Sequence, residues 1–554
     1  MKFIKYMVVL AVVVCSAASV SNAATIQFLG GGSSALFLEL GQAAQSSLAT
    51  GTSCVWTQKS SAGVLARDDR TTPTTDEKGN IWITWSKGTG TCAAPVGAFN
   101  IYAYMQLDSV VGDKCYFLAS TSGASGCIQI LTIAAGTAGA NLLGAGFGPD
   151  TAIPAAVISA LNNQRYFVIG TDIRPEDAKF ASKRMFTACG TALTREPFGT
   201  SSTYSTKGLG YQTAVTGVGT KVLSFFSTKL FNVIDFNITG TDPITAKPVR
   251  AFHVSTVGAQ PMIIAVSPVP ASNTGIGAAT DISRETLASF LDGTLGRATD
   301  LQGPTSANAV TALIREPLSG TYNTTEYSIP NSVEFKTSQD ANNCNGAVVA
   351  SNPMDVPSAN GKVAGAARKR VIGTGEMVAE LQAAVTDTIG YYFWSVGNSS
   401  AFTSTTGKYL TVDGVDPIQD SYTNGVIPAT GTGVTFKHLN AGDYPIWSAL
   451  RLVSTTPVPV GVTNLINGAQ TLNSTQHDFV TLANLKVWRS HFPISSIGIL
   501  SAANGATINT ANDLCVGGLA ETGGDAGGAT IQKQENLNFC ADFGSTTGIL
   551  DRNN

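Results

Sequence analysis

The chain has 554 residues, a formal net charge of −3 and 13% charged residues, an ordinary globular composition that is poor in charge. Its length supplies material for about two to four domains with sizeable cores. The slight acidity and the lack of a lysine or arginine cluster argue against nucleic acid as the main partner, so any anion site must be a local arrangement of groups.

The N-terminus reads as an export signal. Lys2 and Lys5 precede the apolar run Met7 to Val14, and small residues lead up to Ser21-Asn22-Ala23, which predicts cleavage after Ala23 and a signal peptide over residues 1–23. The run is too short to span a bilayer, which takes about 20 apolar residues. Lipid anchoring at Cys15 is disfavoured by the bulky Val14 before it. The mature protein is therefore expected in the periplasm or outside the cell. Of the nine cysteines, eight remain once Cys15 is removed: Cys54, Cys92, Cys115, Cys127, Cys189, Cys344, Cys515 and Cys540. An even number in an exported chain suggests disulfides. Cys115 with Cys127 and Cys515 with Cys540 are the preferred pairs, with Cys54 to Cys92 next. Zinc is not expected, because no CxxC occurs and His253, His438, His477 and His491 are scattered. No other cofactor is implied.

In chain order, a strand over Thr25 to Leu29 leads to the turn Gly30-Gly31-Gly32-Ser33-Ser34 and a helical pattern from Ala35 to Leu48. Strand, glycine turn and helix can cradle an anion; the glycines fit equally well a turn that simply needs their backbone freedom. Cys54 to Thr57 reads as a strand, and the hydroxyls of Lys59-Ser60-Ser61-Ala62-Gly63-Val64 sit at an expected helix start, where Ser60 could equally be an N-cap. From about residue 71 to 163 an insertion is expected, with hairpin-like segments at Ile81 to Trp85 and Phe99 to Leu107. Ala152 to Leu161 reads as a helix with Pro154 in its first turn. The strand-like Tyr166 to Ile169 then delivers Asp172, either a ligand group at the end of a buried strand or the cap of a helix beginning near Pro175.

Further on, Pro261 to Val266 has a buried-strand pattern and Arg284 to Leu291 a short amphipathic one. The stretch Arg315-Glu316-Pro317-Leu318-Ser319-Gly320-Thr321 puts one guanidinium and two hydroxyls just ahead of a helix. Unpaired N–H groups and the positive end of the helix dipole favour an oxyanion there, although the same pattern fits a capped helix after a surface arginine. Gly373-Thr374-Gly375 introduces another helix, Glu376 to Ala384. Thr388 to Phe393 and Ala449 to Val453 read as strands, and a helical pattern surrounds His477 to Trp488. Strands alternating with helices predict α/β layers with largely parallel sheets, whose ligands gather at strand carboxyl ends.

The order and wording of these motifs resemble the periplasmic phosphate-binding proteins of ABC transporters and the related DING-type phosphate binders. The resemblance is carried by GGGSSALF from Gly30, KSSAGV from Lys59, GTDIRPED from Gly170, QPMIIAV from Gln260, ETLASFLDG from Glu285, REPLSGT from Arg315 and DTIGYYFW from Asp387, all in the family's order. It implies a two-lobed type II periplasmic-binding-protein fold. Residues 24–262 and 446–554 would form the first lobe, 263–445 the second, with crossings near Pro261 to Ser267 and Tyr444 to Ser454. It implies that Ser34 and the Ala35 amide contact inorganic phosphate beside Ser60, that Asp172 accepts a hydrogen bond from a protonated ligand oxygen, and that Arg315, Ser319, Gly320 and Thr321 clamp it from the other lobe. A permease in the inner membrane would be the partner. Pro317 stands where the family has an acidic residue that orients the arginine, which leaves the guanidinium's orientation and the identity of the oxyanion open. A secreted phosphatase would need a metal or an activated nucleophile, and no HExxH or GxSxG is present. A third reading makes the inserts an adhesion or assembly surface. Asn323-Thr324-Thr325 is formally a glycosylation sequon lying inside the expected site.

Overall fold

A computed structural model describes residues 23–48, 53–59, 63–68, 75–117, 127–144, 146–148, 152–172, 253–267, 274–315, 319–329, 339, 355–356, 364–371, 373–399, 406–426, 433–441, 443–455, 457–472 and 479–481. Residues 1–22 of the expected signal peptide, Ser60 and Cys189, Cys344, Cys515 and Cys540 lie outside them.

The first lobe is built on β1 (Ala24–Gly32), which leads through a short 3-10 turn into α1 (Phe37–Ser47). β2 (Ser53–Gln58), β3 (Ile81–Ser86) and β4 (Phe99–Gln106) follow, then α2 (Ser109–Phe117) and the four-residue β5 (Val168–Thr171). β1 is flanked by β4 and β5, both parallel to it, and the order continues from β4 through β3 to the edge strand β2. The stretch read as an insertion thus contributes two strands to the main sheet, one directly beside β1. Alternate residues explain why the sheet is covered on both faces. Ile101, Ala103 and Met105 of β4 enter one cluster with Leu29 and Ile83. Tyr102 and Tyr104 enter the other with Phe28, Trp82 and Leu40 of α1. Full burial of side chains such as Ile101, Met105 and Phe28 contributes about 1.5–3 kcal/mol each.

The strand β6 (His253–Val266) belongs to both lobes. The second lobe adds β7 (Thr311–Arg315), α3 (Gly320–Ser328), β8 (Ala367–Val371), α4 (Gly373–Ala383) and β9 (Thr388–Phe393). β7 lies between β8 and β9, parallel to both. β10 (Trp447–Ser454) and α5 (Val460–Thr471) follow, and the short strand Val480–Thr481 comes last. Residues 253–261 of β6 pair antiparallel with β10, while 262–266 pair antiparallel with β9. β10 in turn pairs with β5 through Arg451 to Ser454. One mixed sheet therefore runs through both lobes, with β3 antiparallel to both β2 and β4 and the antiparallel pair β6 and β10 at its centre; the largely parallel sheets expected from the sequence are confined to the strands around β1 and β7. A third cluster, with Met262 to Val266, Leu313, Ile314 and Tyr391, forms the core of the second lobe.

Three readings of the sequence change here. The three glycines after Leu29 extend β1 up to Gly32 and are not a separate turn, because parallel partners on both sides hold them in register. Where a helix was expected after Ser60, Val64–Asp68 is a strand, paired with Cys127–Leu131 in a small three-stranded sheet, since its apolar residues find a partner there. Val480–Thr481, inside the expected helix around His477 to Trp488, is a strand on β6. Two expected disulfides are present, Cys54–Cys92 and Cys115–Cys127, with Cα atoms 5.6 and 5.1 Å apart. The first ties β2 to the loop after β3; the second ties α2 to the small sheet.

Candidate anion-binding site between the lobes

Three chain turns from the first lobe meet at one point. β1 ends at Gly32, whose φ of +134° puts it in the region that favours glycine, and a Cβ there would overlap the Gly170 carbonyl of β5. The Ser33 amide donates to that same Gly170 oxygen at 2.8 Å. Ser33 caps the short 3-10 turn by accepting from the Ala35 amide at 3.2 Å, and its own carbonyl accepts from the Tyr104 hydroxyl at 2.7 Å. β5 ends one residue before Asp172, which is 1% exposed. The Ser109 hydroxyl, at the start of α2, donates to the Asp172 carboxylate, as does Ser33. From β10, the Ser448 hydroxyl donates to the Asp172 carbonyl at 2.5 Å.

The second lobe brings the donors. Ser319 caps α3 by accepting from the Thr321 amide at 3.1 Å, as the sequence pattern predicts. Arg315, at the end of β7 and 1% exposed, donates through Nη1 to the Thr321 hydroxyl at 3.2 Å and the Thr374 hydroxyl at 3.4 Å. Its backbone amide donates to the Tyr391 hydroxyl at 3.1 Å. Asn323 of the sequon is buried and donates to the Ser319 carbonyl at 2.8 Å.

The lobes touch where Asp172 meets α3: a Cβ on Gly320 would overlap the Asp172 carboxylate, so only glycine permits this approach. Burial raises the Asp172 pKa above the usual carboxylate value; bonds from Ser109, its own amide and Ser33, and then the charge of Arg315, oppose that rise without cancelling it. Burial, and next the charge of Asp172, likewise push Tyr104 well up. Ala35 packs against the cores of both lobes. Ser34 and Ala35 are half-buried and open onto an interlobe cleft of about 530 Å³ that also reaches Thr374.

Of the residues singled out in sequence, Asp172, Arg315, Gly320 and Thr321 are thus drawn together, with Ser319 capping the same helix and Ser34 and Ala35 at the cleft edge. Ser60 lies outside the described residues. The strand that precedes it, β2, is the sheet edge, separated from β1 by β4 and β3. Sequence reasoning missed Ser33, Ser109, Thr374 and Tyr104. Ser109 carried a usable signal, a hydroxyl opening a helix directly after a strand, and Thr374 sat in a noted glycine turn. Nothing in the local sequence marks Tyr104.

No family model matches the chain, and no curated protein matches it. Similar solved structures include an ABC-type phosphate transport receptor from Vibrio cholerae, 14% identical over 40% of this chain and 67% of that one, with a TM-score of 0.25. A phosphate-binding protein from Stenotrophomonas maltophilia is 13% identical over 59% of this chain and 80% of its own, with a TM-score of 0.27. A high affinity periplasmic phosphate-binding protein, PfluDING, bound with phosphate, is 13% identical over 88% and 97%, with a TM-score of 0.32. The solved structures that this chain resembles are phosphate-binding proteins. Likeness at this level assigns no ligand and no residue role to this chain; those rest on its own geometry.

Proposed function

We propose that the protein is an exported solute-binding protein, not an enzyme, that captures inorganic phosphate or a related tetrahedral oxyanion between its lobes and hands it to an ABC-transporter permease. The observation that carries this reading is the meeting of Asp172 from one lobe with Arg315 and the N-terminus of α3 from the other. A buried dianion must exchange its water for fixed donors. The Gly320 amide, the hydroxyls of Ser34, Ser319 and Thr321 and the Arg315 guanidinium form such a set; the Ala35 and Thr321 amides join it once they leave the Ser33 and Ser319 hydroxyls that accept from them, and Ser60 completes it in this reading. Selectivity comes from Asp172. Phosphate keeps a proton at neutral pH that it can donate to the carboxylate, whereas sulfate has none and is repelled.

Closure follows from the same arrangement. Residues 24–262 with 446–554, and residues 263–445, swing about β6 and β10, a hinge motion of the kind periplasmic binding proteins illustrate. The two disulfides support export to an oxidising compartment. Isothermal titration with phosphate, arsenate and sulfate tests the reading. Phosphate and arsenate are expected to bind and sulfate to fail, with compaction by X-ray scattering on adding phosphate. An absence of heat from all three anions would sink it.

A further inference from the structure

Four residues of the proposed cradle are enclosed, and two face a cleft. Asp172, Arg315, Ser319 and Thr321 are 1–3% exposed, whereas Ser34 and Ala35 are half-buried and look into the interlobe cleft. Thr374, which accepts from Arg315, lines the same cleft. The cleft volume, about 530 Å³, falls in the range of about 300–1,000 Å³ typical of sites for organic ligands and is far more than a five-atom oxyanion fills. One phosphoryl oxygen therefore has an exit, and the space beyond it can hold a substituent.

The lining defines that substituent. Phe37, Phe393 and Trp394 supply flat apolar surface, and Gln106 and Asn398 supply amides from opposite lobes. Gln106 accepts from the Asn80 amide at 3.2 Å, which fixes its orientation and leaves its own N–H groups as donors to the cleft. Asn398 donates to Ser395 at 3.2 Å, which leaves its oxygen as an acceptor. A donor facing an acceptor suits hydroxyl groups, which do both. The cleft holds one carboxylate, Glu376, and no lysine or arginine among the described residues, so nothing there would neutralise a second phosphoryl group.

We infer that the cleft takes the organic part of a phosphate monoester of a small neutral polyol, a glycerol or sugar phosphate, with its phosphoryl group in the cradle. This rests on the phosphate reading above, and the test separates the two. Calorimetry compares inorganic phosphate, glycerol 3-phosphate, glucose 6-phosphate and fructose 1,6-bisphosphate on the full mature chain and on a Gln106→Ala/Asn398→Ala double variant. Neither substituted residue belongs to the cradle. The monoesters are expected to bind within about tenfold of phosphate or tighter, to compete with it, and to outbind the bisphosphate. The double variant should weaken them about 5- to 100-fold, as loss of two hydrogen bonds predicts, while leaving phosphate unchanged. Phosphate binding with monoesters a thousandfold weaker would overturn this inference and keep the phosphate reading, as would a double variant that weakens both alike. Silence from every anion would overturn both readings, and monoesters without phosphate would leave the ester inference standing alone.

Discussion

The two lobes share one mixed sheet yet bring opposite chemistry. The first offers an acceptor: Asp172, held by Ser109 and Ser33 and raised in pKa by burial, on a framework stitched by two disulfides. The second offers donors: Arg315 and the start of α3, and no disulfide among the described residues. Neither lobe alone matches a partly protonated oxyanion. In the proposed function this division makes recognition and closure one event, because the acceptor and the donors share the ligand only when the lobes meet.

Removing the donor side should do the most damage. Arg315→Met leaves a buried anion without its counter-charge, a loss of about 3–5 kcal/mol, or at least about 100-fold in phosphate affinity by calorimetry. An affinity within a few-fold of the parent would detach Arg315 from the site. The stitching of the first lobe comes next. Closing a longer loop restrains the unfolded chain more, so the Cys54–Cys92 link, 38 residues apart, should contribute about 4 kcal/mol and Cys115–Cys127, 12 apart, about 3 kcal/mol. Denaturant midpoints of the paired Cys→Ala variants check the order, and a reversed order would show that chain entropy does not set it.

The acceptor follows. Asp172→Asn should let sulfate compete with phosphate, gaining about 10- to 100-fold, the cost of a mismatched buried group. Selectivity unchanged in competition titrations would remove Asp172 from that role. The raised pKa carries a sign as well. In the folded protein Asp172 holds its proton more tightly than in the unfolded chain, so its favourable contribution is complete below the ordinary carboxylate pKa and is lost as pH rises through the raised one. Accordingly Asp172→Asn should raise the melting temperature of the ligand-free protein at about pH 7 and cease to do so below about pH 4. In the parent protein, sulfate exclusion should relax as the pH is lowered and the carboxylate takes its proton. The smallest effect belongs to Thr374→Val, which deletes one neutral partner of Arg315 and should weaken phosphate binding about 2- to 10-fold.

Much of this division can be read from residue order. β5 ahead of Asp172 and the Ser319 cap on α3 are set by residues a few positions apart, the α/β class by alternating patterns along the chain, and the two disulfides by an even cysteine count and spacings of 38 and 12. The helix expected after Ser60 fails because Val64 to Asp68 is drawn into pairing with Cys127–Leu131, far along the chain. The helix expected around His477 fails at Val480–Thr481 for the same reason, a long-range partner in β6. Ser109 reaches Asp172 only through the packing of α2 against β5, and Tyr104 comes near it only because β4 pairs with β1 beside Ser33, which no periodicity encodes.

Asn323 has a consequence for making this protein. Its amide is buried against the Ser319 carbonyl at the mouth of α3, so in the folded chain no oligosaccharide could be attached to it. A host that glycosylates Asn-x-Thr during translocation meets the chain before α3 has formed, and a sugar added there would wedge the lobes apart. Production in yeast or animal cells should therefore give a mixture in which the glycosylated fraction is misassembled, and Asn323→Gln would not rescue it cleanly, since the longer amide must find room in the same enclosed position.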